Sequence, residues 1–284
     1  EDCLPQYIRS KYKLSEVNYS IYNIHFPKSE EDFKMARYRL VFEEFLLLQL
    51  GLLNIKNSLE NSKQGIRFRK VAEMQSFIES LPFKLTDAQM KVFHEIENDL
   101  ESEKVMNRLV QGDVGSGKTI VAVLAMFKAV KSGYQAALMV PTEILAEQHY
   151  KTINALMSKF GISVALLTGS LSRSKKQDML EQIKDGSIDI VIGTHALIED
   201  NVVFGRLGLV ITDEQHRFGV RQRNTLSKKG ENPDMLVMTA TPIPRTLALI
   251  LYGDLDISII NELPPGRKPV KTYAVDNSMR ERIN

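Results

Sequence analysis

The stretch Gly112-Asp113-Val114-Gly115-Ser116-Gly117-Lys118-Thr119 follows the pattern G-x-x-x-x-G-K-[ST] of a phosphate-binding loop. Residues 108–110 before it are largely apolar, and residues 120–130 after it have the pattern of a helix. This strand–loop–helix setting separates a phosphate-binding loop from a chance match. The glycines allow the backbone N–H groups to point inward, and the helix N-terminus adds its positive end, so the stretch predicts a concave anion site.

Two side chains of this loop are predicted to contact a bound nucleotide. Lys118 is expected to reach the β- and γ-phosphates, and Thr119 is expected to offer its hydroxyl to Mg²⁺. The remaining loop residues, Gly112 to Gly117, are candidate phosphate contacts through the backbone. The alternative is a glycine-rich turn that binds nothing, but the spacing, the lysine and the threonine together favour the phosphate site.

Composition narrows the classes of protein that fit. The chain has 284 residues with a formal net charge of +2, so nucleic-acid contacts must come from local patches. A single cysteine, Cys3, excludes a disulfide framework and a cysteine-based metal site. The most apolar stretch, residues 40–53, is too short to span a membrane and is interpreted as a buried helix. With no signal peptide visible, we expect a cytoplasmic protein, and the chain ends suggest a piece of a longer one.

The first eighty residues differ in pattern from the rest. Residues 1–28 scatter tyrosines among polar residues, which we interpret as an extended linker packing on another part of the protein. A long helix is predicted from Glu30 to about Ser62, and a short one over residues 71–79. The run Arg-Phe-Arg-Lys at residues 67–70 is either a nucleic-acid contact or a solvated loop anchored by its aromatic residue, and we favour the loop.

From residue 81 onward the pattern alternates between helix and strand. Thr86 and Gln89 form the capping box T-x-x-Q and predict a helix through Leu100. Short continuous apolar runs indicate strands buried on both faces, hence a parallel sheet. The predicted strands are residues 109–110, 136–140, 164–167, 188–192, 207–211 and 235–238. Three intervening helices end in lysine followed by a capping glycine: Gly133, Gly161 and Gly186. About six βα units therefore fit residues 105–255, which predicts a doubly wound α/β domain.

Two carboxylates follow the fifth predicted strand. At the carboxyl edge of a parallel sheet, next to a phosphate loop, Asp213 is the candidate Mg²⁺ ligand. Glu214 is the candidate for orienting or deprotonating the attacking water. The alternative is two ordinary carboxylates at a strand end, and it is disfavoured because Lys118 is also present.

Polar residues after the fifth and sixth strands extend this constellation. Gln215 and His216 stand where they could sense the γ-phosphate. Thr239 and Thr241 follow the next strand, and their hydroxyls are expected to hydrogen-bond the acidic loop and relay its state. In isolation, His216 would be an ordinary loop histidine and the two threonines an ordinary turn.

Taken in order, residues 115–119, 213–216 and 239–241 resemble the successive motifs of superfamily 2 helicases. Longer stretches are most similar to the bacterial members of that family that drive branch migration: residues 110–119, 213–220, 238–246, 251–255 and 262–267. The resemblance runs from about residue 25 to the end of the chain. It implies a RecA-like ATP-binding domain at 81–262, and a linker and long helix at 1–80 connecting to a wedge domain outside this chain. Residues 263–284 would be a linker to a second RecA-like domain, which is also outside it.

The resemblance also implies roles for individual residues. Gln89 would contact the adenine, alongside its capping role. Residues that would contact DNA follow three strands: Pro141, Thr142, Thr168, Gly169, Thr194 and His195. The implied activity is ATP- and Mg²⁺-dependent translocation on branched double-stranded DNA by a monomer, driving fork reversal and Holliday-junction migration. The helix from Glu30 would pack on the ATPase domain, and this chain alone would hydrolyse ATP weakly because an arginine finger would come from the second domain.

Other functions remain open at this point. The transcription–repair coupling translocases have a similar motor, but they usually carry Glu at the place of Gln215 and Phe at the place of Ser116. A nucleotide-gated DNA-binding module without turnover would be expected to lack Lys118 or Glu214, and both are present. A phosphate-loop kinase would need a lid and an acceptor site, for which the sequence offers no candidate.

Overall fold

The computed structural model of the protein describes residues 2–62, 64–169, 171–213, 225–241 and 255–264, without the side chains of residues 55–62 and 173. Its helices are α1 (Gln6–Tyr12), α2 (Val17–His25), α3 (Glu30–Ser62), α4 (Met74–Glu79), α5 (Asp87–Leu100), α6 (Lys118–Lys131), α7 (Glu143–Met157) and α8 (Arg173–Asp185). Its strands are β1 (Asn107–Gly112), β2 (Gln135–Met139), β3 (Val164–Leu167), β4 (Ile190–Gly193), β5 (Leu207–Thr212), β6 (Asp234–Thr239) and β7 (Asp256–Ile260).

The seven strands form one sheet in the order β3-β4-β2-β5-β6-β1-β7, and all the strand pairs are parallel. The doubly wound α/β fold and all six predicted strands are confirmed. The prediction missed β7, because that strand lies at the edge of the described sheet, paired with β1, and buries alternate residues rather than a continuous run. An edge strand of this kind lacks the apolar run by which the other six were recognised.

Helices cover both faces of the sheet. On one face the core contains side chains of α4, α5, α6 and α7, where Phe77 stacks on Phe127 at 4.1 Å between ring centroids and Phe160 packs edge-on against both. On the other face, Ile183 of α8 packs with Leu197 and Phe204. Helix α6 is buried around most of its circumference, which its apolar composition allows. The three predicted glycine caps are confirmed, with positive φ at Gly133, Gly161 and Gly186.

The N-terminal residues are not an extended linker, so that prediction is wrong. They form α1 and α2, and α2 packs along α3. The buried residues of α2 are polar, Ser20 and Asn23. Arg39 of α3 is also fully buried: it pairs with Asp2 and with Glu43 of its own helix, and its Nε donates to the carbonyl of Ser15. Apolar periodicity was the signal used for helices, and it did not identify these two, because the buried residues of α2 are polar and α1 has no buried residue.

The long helix has the predicted bounds, Glu30–Ser62, but its predicted burial is wrong. Phe45, Leu47, Leu50 and Leu53 are each 50–58% exposed. Its main contact is with α2. Its described side chains, residues 30–54, are absent from the cores of the sheet domain, so these residues do not show the expected packing on that domain. Within the described residues, no helix is long and apolar enough to cross a membrane.

The segment that enters the sheet domain is fixed by its aromatic residue. Phe68 is 2% exposed and packs edge-to-face on Tyr134, with 5.3 Å between ring centroids. The guanidinium of Arg69 donates to the backbone carbonyl of Lys131. This is the anchored loop that we favoured over a nucleic-acid contact. The short helix that follows is confirmed only over Met74–Glu79.

Candidate nucleotide site and nucleic-acid edge

The candidate functional residues in the described part of the chain lie at one edge of the sheet, because parallel strands end on the same side. Strands β5, β6 and β1 are neighbours and lead into Asp213, Thr239 and the phosphate loop. Strands β3, β4 and β2 are also neighbours, and lead into the three candidate DNA-contacting turns. The sheet order therefore places the candidate nucleotide residues on one half of the edge and the candidate DNA-contacting residues on the other. We call these the nucleotide half and the nucleic-acid half, and they meet between β2 and β5.

The phosphate loop has the backbone shape that its sequence predicts. Gly115 and Gly117 have φ values of 78° and 85°, and α6 begins at the next residue, Lys118. A Cβ on Gly117 would collide with the side-chain amide of Gln89, so this position requires glycine for two reasons. The loop therefore presents the N-terminus of α6 as an anion-binding cradle.

Lys118 is folded onto its own loop. Its side chain is largely buried, and Nζ donates to the carbonyls of Gly112 at 2.7 Å and Asp113 at 3.0 Å. Phosphate oxygens in the cradle would replace these carbonyls as the acceptors of the ammonium group. The hydroxyl oxygen of Ser116 is buried without a hydrogen-bond partner among the described residues. Both observations fit a loop whose polar groups are arranged for an anion.

Gln89 connects α5 to the phosphate loop. The predicted capping box is confirmed, with Gln89 Oε1 accepting from the Thr86 N–H at 2.9 Å. At its other end, Nε2 donates to the carbonyl of Ser116 at 2.8 Å. A side-chain amide has two donors and two acceptor lone pairs. One of each is engaged in these two bonds, so the capping role and a contact to a base are compatible.

An apolar cavity of about 450 Å³ lies beside Gln89 and the start of α6. Its apolar walls come from the loop before α5, from α6, from α7 and from the segment after β7: Pro82, Phe83, Ile120, Val123, Leu156 and Pro264. Phe83 is 51% exposed. Sequence reasoning missed these residues, although Phe83 stands six residues before Gln89. An apolar cavity next to an amide is suited to a purine base.

Asp213 follows β5 as predicted, and its carboxylate has a partner that sequence reasoning missed. Nε2 of His149, on α7, lies 3.2 Å from Asp213 Oδ2, and both side chains are 12–14% exposed. No sequence pattern connects these residues, which are 64 positions apart. Glu214, Gln215 and His216 lie outside the described residues, so their predicted roles stay predictions.

The donors available at this edge fit the way proteins hold Mg²⁺ with a nucleotide. Among the described residues, no group of three or more His, Cys, Asp or Glu side chains could hold a metal by itself. Magnesium is commonly held by one or two carboxylates together with phosphate oxygens and water. Thr119 and Asp213 are the residues that would hold Mg²⁺ here, together with oxygens of a bound nucleotide and water.

Thr239, the last residue of β6, and Thr241 are hydrogen-bonded to each other. Their hydroxyl oxygens are 2.9 Å apart, and the Thr241 N–H donates to the Thr239 hydroxyl at 3.3 Å. Thr239 is 1% exposed. Their predicted bond to the acidic loop involves residues outside the described part of the chain, so it stays a prediction.

The six candidate DNA contacts differ in accessibility. Thr142 caps α7, accepting from the Leu145 N–H at 3.3 Å. Thr168 and Thr194 are only 4% and 8% exposed, so their hydroxyls contribute little accessible surface. The other four are exposed or half-buried: Pro141, Thr142, Gly169 and His195. A strand of nucleic acid at this edge would thus meet the helix N-terminus of α7 and the turns after β3 and β4.

Comparison with known proteins places this chain among helicases. Residues 86–250 match the model of the DEAD/DEAH box helicase family. The chain is 52% identical to the ATP-dependent DNA helicase RecG of Bacillus subtilis, over 99% of this chain and 42% of that protein. It is also 52% identical to RecG of Thermotoga maritima, over 100% of this chain and 36% of that protein.

A solved structure of RecG bound to a three-way DNA junction superimposes with a TM-score of 0.86 and 48% identity, over 100% of this chain and 38% of that one. The chain thus spans about two fifths of the length of these relatives. The resemblance to superfamily 2 helicases, and to their RecG members in particular, is confirmed. Because the family model matches more than half of its residues, this chain belongs to the DEAD/DEAH box helicase family.

Proposed function

We propose that this chain is the ATP-binding motor part of a DNA helicase that translocates on branched double-stranded DNA. The observation that carries the proposal is the division of one sheet edge into a nucleotide half on β5-β6-β1 and a nucleic-acid half on β3-β4-β2. A relative that is 48% identical has been solved on a three-way DNA junction, which supports the same class of substrate here.

In this proposal residues 81–262 are the first of two RecA-like domains. Residues 1–80 lead from a wedge domain that grips the junction, and residues 263–284 lead to the second RecA-like domain. ATP lies in the cleft between the two RecA-like domains, and its hydrolysis opens and closes that cleft. The second domain supplies an arginine finger, a contribution of roughly 10³–10⁵ in rate in related enzymes.

The nucleotide half holds and activates ATP. Lys118 exchanges its two carbonyl acceptors for β- and γ-phosphate oxygens, while Thr119 and Asp213 hold Mg²⁺. The metal, when bound, neutralises phosphate charge during transfer. Glu214 orients a water for attack on the γ-phosphorus and takes its proton as the bond to the β-γ bridging oxygen breaks. Gln215 and His216 sense the γ-phosphate.

The base lies in the apolar cavity next to the phosphate loop. Phe83 packs on one face of the adenine, and the remaining donor and acceptor of the Gln89 amide face its edge. Since Gln89 also holds the Ser116 carbonyl, base binding and the shape of the phosphate loop depend on the same side chain.

The nucleic-acid half binds one strand of the DNA backbone. DNA phosphates bind at the N-terminus of α7, where Thr142 is the cap, and at the turns that contain Gly169 and His195. Thr239 and Thr241 pass the state of the acidic loop to these turns. The protein acts as a monomer in the cytoplasm on forks and Holliday junctions, driving fork reversal and branch migration.

Nucleotide binding and hydrolysis by the 284-residue chain test this proposal. We expect binding of a fluorescent ATP analogue that Lys118→Ala abolishes and Lys131→Ala, at the other end of α6, does not change. Turnover should be close to zero with or without forked DNA, and should rise when the second RecA-like domain is added. Nucleotide binding that is unchanged in Lys118→Ala would refute the proposed nucleotide site.

Fork-stimulated turnover by the chain alone would refute the need for an arginine finger from a second domain. Binding without any turnover, even after the second domain is added, would favour the nucleotide-gated DNA-binding module over the motor. A substrate comparison between forked DNA and a stalled RNA polymerase separates the motor proposed here from a transcription–repair coupling motor.

A further inference from the structure

The two halves of the sheet edge meet at one backbone seam. Strands β2 and β5 are hydrogen-bonded neighbours, with Met139 paired to Thr212. The seam continues one residue further, where the N–H of Asp213 donates to the carbonyl of Met139 at 3.0 Å. The backbone of the candidate Mg²⁺ ligand is therefore fixed to the end of the strand that leads into the candidate DNA-binding helix α7.

A side-chain contact crosses the same seam. His149 lies seven residues after Thr142, the N-cap of α7, which is two turns and about 10.5 Å along the helix axis. Its Nε2 is 3.2 Å from Asp213 Oδ2. A carboxylate can only accept in such a bond, so Nε2 carries the hydrogen. Both side chains are shielded, at 12% and 14% exposure, so solvent competes weakly for this bond.

We infer that His149 is a positioning residue that orients the Asp213 carboxylate for Mg²⁺ and couples it to DNA bound at the N-terminus of α7. This inference rests on the proposed function, because it assumes that Asp213 meets the metal and that α7 meets DNA. Groups that hydrogen-bond a metal ligand hold it in one orientation, and their loss typically costs 10–100-fold in metal affinity.

The coupling follows from the rigidity of α7. A phosphate that binds at its N-terminus would shift the whole helix as a rigid unit. His149 would transmit that shift to the Asp213 carboxylate. Linkage makes the effect reciprocal: DNA must change the affinity for Mg²⁺-nucleotide by the same factor by which Mg²⁺-nucleotide changes the affinity for DNA. The site would thus sense DNA without contact between DNA and nucleotide.

The direct test is a Mg²⁺ titration of fluorescent ATP-analogue binding to the 284-residue chain. We expect His149→Ala to raise the Mg²⁺ concentration for half-maximal binding by about 10-fold or more. Binding in the presence of EDTA should stay unchanged, because the phosphate loop is intact. His149→Gln should recover most of the Mg²⁺ affinity, since its amide N–H reaches a position similar to that of Nε2.

The matched control is His94→Ala, which removes a histidine that is 60% exposed on α5. It should leave the Mg²⁺ dependence unchanged. His149→Asn, whose amide is too short to reach Asp213, repeats the alanine test with a polar side chain. It is the variant to measure if the alanine variant does not fold.

A second arm repeats the titration with duplex DNA. In the wild type, DNA should lower the Mg²⁺ concentration for half-maximal binding, and in His149→Ala it should not. The absence of a DNA effect in the wild type, or an unchanged DNA effect in the alanine variant, would overturn the coupling.

Three outcomes separate the inference from its alternatives. Equal Mg²⁺ dependence in the wild type and in folded His149→Ala or His149→Asn would overturn the positioning role. Equal losses in the glutamine and alanine variants, together with a lower melting temperature, would show a merely structural contact between α7 and β5. Nucleotide binding that is insensitive to Lys118→Ala would instead refute the proposed function itself.

Discussion

Gln89 links the stability of α5 to the shape of the phosphate loop through the two ends of one amide. Its Oε1 completes the capping box with Thr86, and its Nε2 holds the carbonyl of Ser116. These two roles can be separated because Thr86 takes part only in the first. The N-terminus of α5 is further stabilised by Glu262, whose carboxylate accepts from the Ala88 N–H at 3.0 Å.

Replacing each partner of the capping box in turn tests this division. Thr86→Ala should lower the free energy of unfolding by about 1 kcal/mol and leave nucleotide affinity unchanged. Gln89→Ala should lower stability by a similar amount and weaken nucleotide binding as well, because the Ser116 carbonyl loses its donor. Urea unfolding and a nucleotide titration measure the two effects. Equal nucleotide affinity in both variants would contradict a role for Gln89 in the loop.

Asp234 is a buried carboxyl at the start of β6 that the proposed chemistry does not use. Burial raises the pKa of this carboxyl well above its usual range, and the charge of Asp99 adds to the effect, against the hydrogen bond from the Met106 N–H. Its Oδ2 has no hydrogen-bond partner among the described residues. The folded state thus binds the Asp234 proton more tightly than the unfolded state does.

Ionisation of Asp234 should destabilise the folded protein as pH rises. Because the native pKa is raised, the free energy of unfolding should fall as pH rises from about 3.8, the usual value, through the native pKa. For one proton the slope is at most about 1.4 kcal/mol per pH unit. Asp234→Asn keeps the acceptor for Met106 and should remove this slope, leaving the variant more stable than the wild type at pH 8.

Thermal melts between pH 5 and 8 measure the Asp234 effect. The exposed Asp178→Asn on α8 is the control and should follow the wild-type curve. Parallel curves for the wild type and Asp234→Asn would show that the carboxyl is not buried in its neutral form.

Among the elements, helix α6 follows the phosphate loop directly and is buried on most sides. Lys128 lies on this helix with a fully buried side chain. Its Nζ bonds Glu97 at 2.9 Å and Glu101 at 2.6 Å, and so joins α6 to α5. The two carboxylates are 24% exposed, which limits the cost of burying the ammonium group.

Removing this ammonium group should destabilise the sheet domain without changing the candidate nucleotide site. We expect Lys128→Met to lower the free energy of unfolding by about 2 kcal/mol, because two charge-assisted hydrogen bonds are lost at a buried position. Lys131→Met, one turn later and 4.0 Å from Glu73, should cost less than about 1 kcal/mol. Chemical denaturation measures the free energy of unfolding of both variants. Equal losses would mean that the buried ion pairs of Lys128 stabilise the fold no more than the more exposed pair of Lys131.

At the scale of the whole molecule, the described hydrophobic clusters of the sheet domain are built without residues 2–62. Helix α3 packs on α2, and the described clusters of the sheet domain contain no residue from either. The entering segment is fixed instead by Phe68 and by an isolated bridge between Gln64 and Lys104.

Deleting residues 1–62 should therefore leave the sheet domain folded. We expect its melting temperature to change by less than about 3 °C, which corresponds to about 1 kcal/mol for a domain of this size. Scanning calorimetry and nucleotide binding of the shortened chain measure the outcome. A large loss of melting temperature would show that α3 stabilises the sheet domain, as the sequence had suggested.

Local patterns in the sequence account for the elements that were predicted correctly. Buried parallel strands need continuous apolar runs, helix ends need caps, and the phosphate loop needs glycine at Gly115 and Gly117, so each is visible within a few residues. The Gln89 capping box is of the same kind. Strand β7 and helices α1 and α2 were missed because partial burial at an edge and polar packing around Arg39 leave no such local pattern.

The doubly wound α/β class, the glycine-rich loop and the place of Asp213 could be predicted from local sequence patterns, because they depend on interactions between near neighbours in the chain. The strand order, the burial of Thr168 and Thr194, and the hydrogen bond between His149 and Asp213 could not be predicted in this way and became visible in the folded structure. These features depend on contacts between residues far apart in sequence, which form only when the whole sheet brings its strand ends together.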